Sequence, residues 1–126
     1  MTKFWLLFFF WGTILISCNK EHLQSNGSIE FTIKKPTPNQ VFNKNEKITF
    51  EFVAIGESEF HGYEYRILQL PSKNQLKIQN EHVHEKKLEN SFEWSAPDTG
   101  GFQFEVKLFL DHNDNVKIDT VNFFVQ

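Results

Sequence analysis

From Ser28 to Gln126 apolar and polar residues alternate with a period of two, and no segment sustains the 3.6-residue period of a helix. Ile29, Phe31 and Ile33 alternate first, and Lys35-Pro36-Thr37-Pro38-Asn39 then breaks the run. Ile48, Phe50 and Phe52 form the next run, and Tyr63, Tyr65 and Ile67 the third, which ends at Pro71-Ser72-Lys73-Asn74. Leu76 and Ile78 open a fourth, Phe92 and Trp94 mark a fifth, and Phe102, Phe104, Val106, Leu108 and Leu110 make the longest. Thr99-Gly100-Gly101 reads as the turn into it. The last run holds Val116 and Ile118, then Val121, Phe123 and Val125, a change of parity that a β-bulge would produce. Short strands separated by turn signals predict an all-β fold, an immunoglobulin-like antiparallel β-sandwich of about seven strands. The many aromatics suit it, since Phe, Tyr and Trp fill inward positions of a pleated sheet.

The first residues obey a different rule. Lys3 is the one charge before Ser17, and Phe4–Ile16 is apolar almost throughout. A basic tip, a short apolar stretch and a small residue describe an export signal, and the stretch falls short of the roughly 20 residues of a membrane-spanning helix. The ending Leu15-Ile16-Ser17-Cys18 resembles the lipobox of bacterial lipoproteins. The resemblance implies a lipoprotein signal peptide over 1–17, cleavage before Cys18, and lipid on that cysteine, with acyl chains of the palmitate type. Cys18 is the chain's one cysteine, so it has no disulfide partner within the chain, and lipidation accounts for both its presence and its place. Several acyl chains anchor stably, each buried methylene contributing about 0.8 kcal/mol. The expected organisation is therefore a signal at 1–17, a lipidated polar tether at 18–27 and the sandwich at 28–126. The expected location is the bacterial cell envelope, anchored to the outer membrane and facing the periplasm or the surface.

Without Lys3 the formal charge changes from −3 to −4, and no basic stretch offers a surface to nucleic acid. About a hundred residues bury a core without disulfides or a structural metal, so any metal would be bound for its own sake. No G-x-S-x-G, phosphate-cradling loop or carboxylate pair at hydrolase spacing is present, and the chain is read as non-enzymatic.

Four histidines carry the remaining chemistry. His61 begins the third strand, His82 and His84 form an H-x-H near the end of the fourth, and His112 follows the sixth; the fifth histidine, His22, lies in the tether. If consecutive strands run antiparallel across a sandwich, the start of the third strand and the ends of the fourth and sixth share one end of the domain. Imidazole suits zinc and copper, with zinc–nitrogen distances of about 2.0–2.1 Å. Asp111 and Glu81 are candidate acceptors that orient a ring, and Glu85 and Asp114 lie nearby. Trp94, Tyr63 and Tyr65 read as core aromatics before a sugar-binding surface.

The runs Phe60-His61-Gly62-Tyr63-Glu64, His82-Val83-His84 and Leu110-Asp111-His112-Asn113-Asp114-Asn115, with Pro36–Asn39 before them, resemble a family of small lipoproteins from Bacteroidota-type bacteria. The resemblance implies an immunoglobulin-like domain over Ile29–Gln126 and no particular activity. It breaks at Asp114, where the family pattern has glycine. The leading expectation is an envelope lipoprotein that binds zinc or copper through His61, His82, His84 and His112. The alternative is an interaction or adhesion module for an envelope protein or glycan.

Overall fold

The computed structural model describes residues 27–126, so the expected signal, Cys18 and nearly all of the tether lie outside the described residues. Eight strands follow: β1 (Ile29–Lys35), β2 (Gln40–Phe42), β3 (Lys47–Phe60), β4 (Gly62–Gln69), β5 (Asn74–Glu81), β6 (Glu85–Ser95), β7 (Gly100–Phe109) and β8 (Val116–Val125). They form a three-stranded sheet, β1-β3-β6, and a five-stranded sheet, β2-β8-β7-β4-β5. The two sheets make a β-sandwich of immunoglobulin type.

Two expectations need correction. The first concerns strand number: β2 is an eighth strand, and it pairs in parallel with β8 through Gln40–Phe123, Val41–Phe124 and Phe42–Val125. Three residues, of which only Phe42 is buried, are too few to show an alternation. The second concerns β8, which has no bulge: its register with β7 is unbroken from Gly100–Val125 to Phe109–Val116. The parity changes because Val116 and Ile118 face outward, 40% and 50% exposed, while Val121, Phe123 and Val125 face the core.

The core is aromatic and joins both sheets. Phe50 of β3 stacks on Phe92 of β6 at 5.0 Å and meets the rings of Phe104 and Phe123 edge-on at 4.9 and 5.5 Å. Tyr65 of β4 stacks on the other side of the seam, 4.3 Å from Phe92. Each such ring contributes about 1.5–3 kcal/mol by leaving water, and each pair about 0.5–1.5 kcal/mol more. Tyr63 and Tyr65 are buried in the core, and Trp94, half-buried, packs against the same cluster.

The outer face of the larger sheet is held by charge. Glu64 faces Lys107 and Arg66 faces Glu105 across the β4–β7 ladder. The Arg66 guanidinium donates to Glu105, with its Nε at 3.0 Å, and lies 3.6 Å from Glu64. Leu76 and Ile78 of the edge strand β5 are exposed, and Lys77 between them turns inward, its Nζ 5.6 Å from the centre of the Phe92 ring.

Candidate metal centre

Strand direction decides where the histidines meet. β3, β5 and β7 finish, and β4, β6 and β8 begin, at one end of the sandwich, so three links turn there. His61 is the whole link between β3 and β4. His82, Val83 and His84 link β5 to β6, just beyond the strand in which the sequence placed the pair, and residues 110–115 link β7 to β8.

Each link is fixed by its own chemistry. The His61 amide donates to the Phe109 carbonyl at 2.8 Å, which ties this residue to the end of β7. Gly62 follows with φ 151°, and a Cβ there would lie 2.5 Å from the Glu81 carbonyl oxygen and 3.4 Å from the Cα of His82. Only glycine lets the start of β4 approach the end of β5 so closely. In the second link Val83 packs on the core, which leaves His82 and His84 exposed on either side of it.

The third link is closed by Asp111. One carboxylate oxygen accepts from the amides of Asn113 at 2.7 Å and Asn115 at 3.3 Å, the other accepts from the Asn115 side chain, and the Leu110 amide donates to the Asn115 carbonyl at 2.8 Å. These bonds, led by that from the Asn115 side chain, hold the Asp111 carboxyl below its ordinary range. Asp114 takes φ 63°, a left-handed conformation that glycine adopts freely and aspartate tolerates. The departure from the glycine pattern therefore leaves this turn intact.

The structure brings all four expected histidines together. Ring centres lie 4.2 Å apart for His61 and His112, 4.9 Å for His61 and His84, and 4.7 Å for His82 and His84. His82 and His84 each stand within 6.2 Å of His112. Nε2 of His82 is 2.9 Å from Nε2 of His84, a hydrogen bond in which one ring donates and the other, necessarily neutral, accepts. His61 is the least exposed of the four, and its Nδ1 is buried without a hydrogen-bond partner. Burial, then the neighbouring His112 and His84, lowers its pKa below 6.5, with Asp111 opposing. The ring is thus kept neutral, as a metal ligand must be.

An open cleft of about 350 Å³ lies over this end, lined by His61, His82, His112, Glu81, Asp111 and Asp114 among others. Among the described residues no three such side chains already stand as a ligand set. Four nitrogens around zinc at about 2.0–2.1 Å would be about 3.3 Å apart. The His82–His84 nitrogens, 2.9 Å apart, are slightly tighter than that.

The two carboxylates expected to orient a ring line the same cleft, and each also holds a partner outside the cluster. Asp111 shapes its own turn, as above. Glu81 accepts a 2.5 Å hydrogen bond from the Tyr63 hydroxyl, which in turn accepts from the Asn90 side-chain amide at 2.8 Å. Burial, reinforced by Glu81, raises the Tyr63 pKa to about 12. Sequence reasoning missed Gly62, whose contribution is room for a neighbouring strand; the His-Gly pair was its one visible trace.

No family model and no curated protein matches the chain. Solved structures match its shape. The CARDB domain of a Pyrococcus furiosus protein, crystallised in complex with di-metal ions, superposes with a TM-score of 0.54 at 14% identity, covering 81% of this chain and 90% of that one. The solution structure of the same domain gives 0.51 at 14% identity over 79% and 94%. The fibronectin(III)-like modules of Clostridium thermocellum CbhA give 0.52 at 18% identity; the alignment covers 79% of this chain and 47% of that longer one. At these identities the likeness is one of fold, and the chain is an immunoglobulin-like β-sandwich domain.

Proposed function

We propose that this domain is a non-catalytic metal-binding module of the bacterial envelope, tethered by lipid on Cys18, which takes one zinc(II) or copper(II) ion through His61, His82, His84 and His112. The carrying observation is that four imidazoles from three separate links converge, each with its ring centre 4.2–6.2 Å from at least two of the others. Core packing and turn geometry account for the backbones of those links, and neither requires a histidine at all four positions. The oxidation state follows from composition. The chain has one Cys and one Met, at positions 18 and 1, so the sandwich offers no thiolate or thioether to soft copper(I). Nitrogen alone suits zinc(II) and copper(II). The Pyrococcus furiosus domain illustrates that a sandwich of this shape accommodates metal ions, and its ligands are not carried over.

Titration calorimetry of the protein with zinc(II) and copper(II) tests this reading. The expected result is binding of one ion, lost in the His82→Ala/His84→Ala double variant. Absence of heat with both metals, or binding that survives the double substitution, overturns it and leaves the alternative, capture of an envelope protein or glycan through the loops or an edge strand.

A further inference from the structure

The domain's N-terminus leaves from the histidine end. Ile29 pairs with Gly56, near the finish of β3, and β1 runs from there towards the far end, where Lys35 pairs with Glu51. Ser28 donates through its hydroxyl to Glu57 at 3.1 Å, and Lys117, near the start of β8, reaches the Ile29 carbonyl at 3.5 Å. The root of the tether is therefore pinned beside the links that carry His61 and His112.

We infer that the histidine end of the sandwich faces the phospholipid bilayer that holds the protein. The inference rests on lipid attachment at Cys18, and lengths decide the orientation. From Cys18 to Ser28 the chain advances ten residues (28 − 18 = 10), which extend to at most about 35 Å. β7 has ten residues and spans about 33 Å from one end of the sandwich to the other. To bring the far end down to the membrane, nearly all of that maximum length would be needed. With the histidine end down, a much shorter span suffices. An ion bound by the four histidines is thus taken up and released in the water layer between the domain and the lipid headgroups.

The test uses the full lipidated protein in vesicles of phosphatidylcholine and phosphatidylethanolamine containing an acceptor-labelled lipid. A fluorophore is placed on Asn113→Cys at the histidine end, or on Asp98→Cys in the β6–β7 link at the other; both positions are exposed. The thioether at Cys18 does not react with the label. Transfer from position 113 to the membrane is expected to exceed that from 98 by at least about twofold, given end-to-end lengths of about 33 Å. Equal or reversed efficiencies, with the protein bound to the vesicles, overturn the orientation and leave the anchor standing. A protein that does not float with the vesicles, or a Cys18→Ala variant that floats as well as the parent, overturns the lipid anchor and the orientation with it.

Discussion

The Cβ that Gly62 lacks would stand 2.5 Å from the backbone carbonyl oxygen of Glu81. A main-chain oxygen held in a strand cannot swing aside, so any side chain at 62 separates the start of β4 from the end of β5. Gly62→Ala also forces φ 151° on a residue that disfavours it, at about 1–3 kcal/mol before the clash is counted. Chemical denaturation is expected to show a loss at least that large. Calorimetry is expected to show weaker metal binding too, because His61 and His82 flank the displaced contact. A variant with unchanged stability and affinity would refute the close approach as the device that sets the cluster.

The orphaned Nδ1 of His61 sets up a trade between stability and binding. An unpaired buried polar atom destabilises the fold, and a ring without it fills much the same space. His61→Phe should therefore keep or raise the metal-free denaturation midpoint while abolishing high-affinity metal binding. A variant that unfolds more readily without metal would show that the nitrogen is satisfied in the folded protein.

The same ring gives the metal-free protein a pH dependence of defined sign. His61 is held below 6.5 in the folded state, so the unfolded chain binds the proton more readily. Stability is then full above pH 6.5 and falls as the pH drops from there towards the depressed folded value. Urea midpoints measured from pH 8 down to pH 5 should decline more for the parent than for His61→Phe. Parallel declines would remove His61 as the source.

Tyr63 makes a prediction at the other extreme of pH. Its hydroxyl bridges Glu81 of β5 and Asn90 of β6, two strands that are not paired with each other. Tyr63→Phe should cost about 1–2 kcal/mol, mostly through the polar groups it leaves without a partner. With the phenol raised to about 12, the unfolded chain deprotonates first, so stability present below pH 10 is lost as the pH climbs from 10 towards 12. Ultraviolet titration of the phenols, with and without Tyr63, would follow it, and a Tyr63 that ionises with an ordinary pKa would contradict the buried bridge.

What the sequence discloses depends on how many residues repeat a signal. Runs of β3, β4 and β7 bury alternate side chains, Ile48 to Ala54, Tyr63 to Ile67 and Phe102 to Leu108, and the alternation gives them away. β2 is too short to alternate. β8 misleads because Val116 and Ile118 are apolar on the solvent side, so residue type and facing part company there. The meeting of the four histidines was legible because strand direction in a sandwich is nearly forced once the strands are counted. The other partners of Asp111 and Glu81, a turn for one and a tyrosine hydroxyl for the other, were not legible, because only side-chain positions reveal them.

The inward tilt of Lys77 has a bearing on how copies of this protein live beside each other. β5 is the outer strand of its sheet, with unpaired backbone groups and two aliphatic side chains on show, the profile of a surface that recruits a further strand from a second molecule. An ammonium tucked under that rim over Phe92 would have to be stripped of water by any such newcomer. An inward charge at an open edge disfavours such pairing, so exchange of Lys77 for a neutral aliphatic residue is expected to raise self-association at high protein concentration.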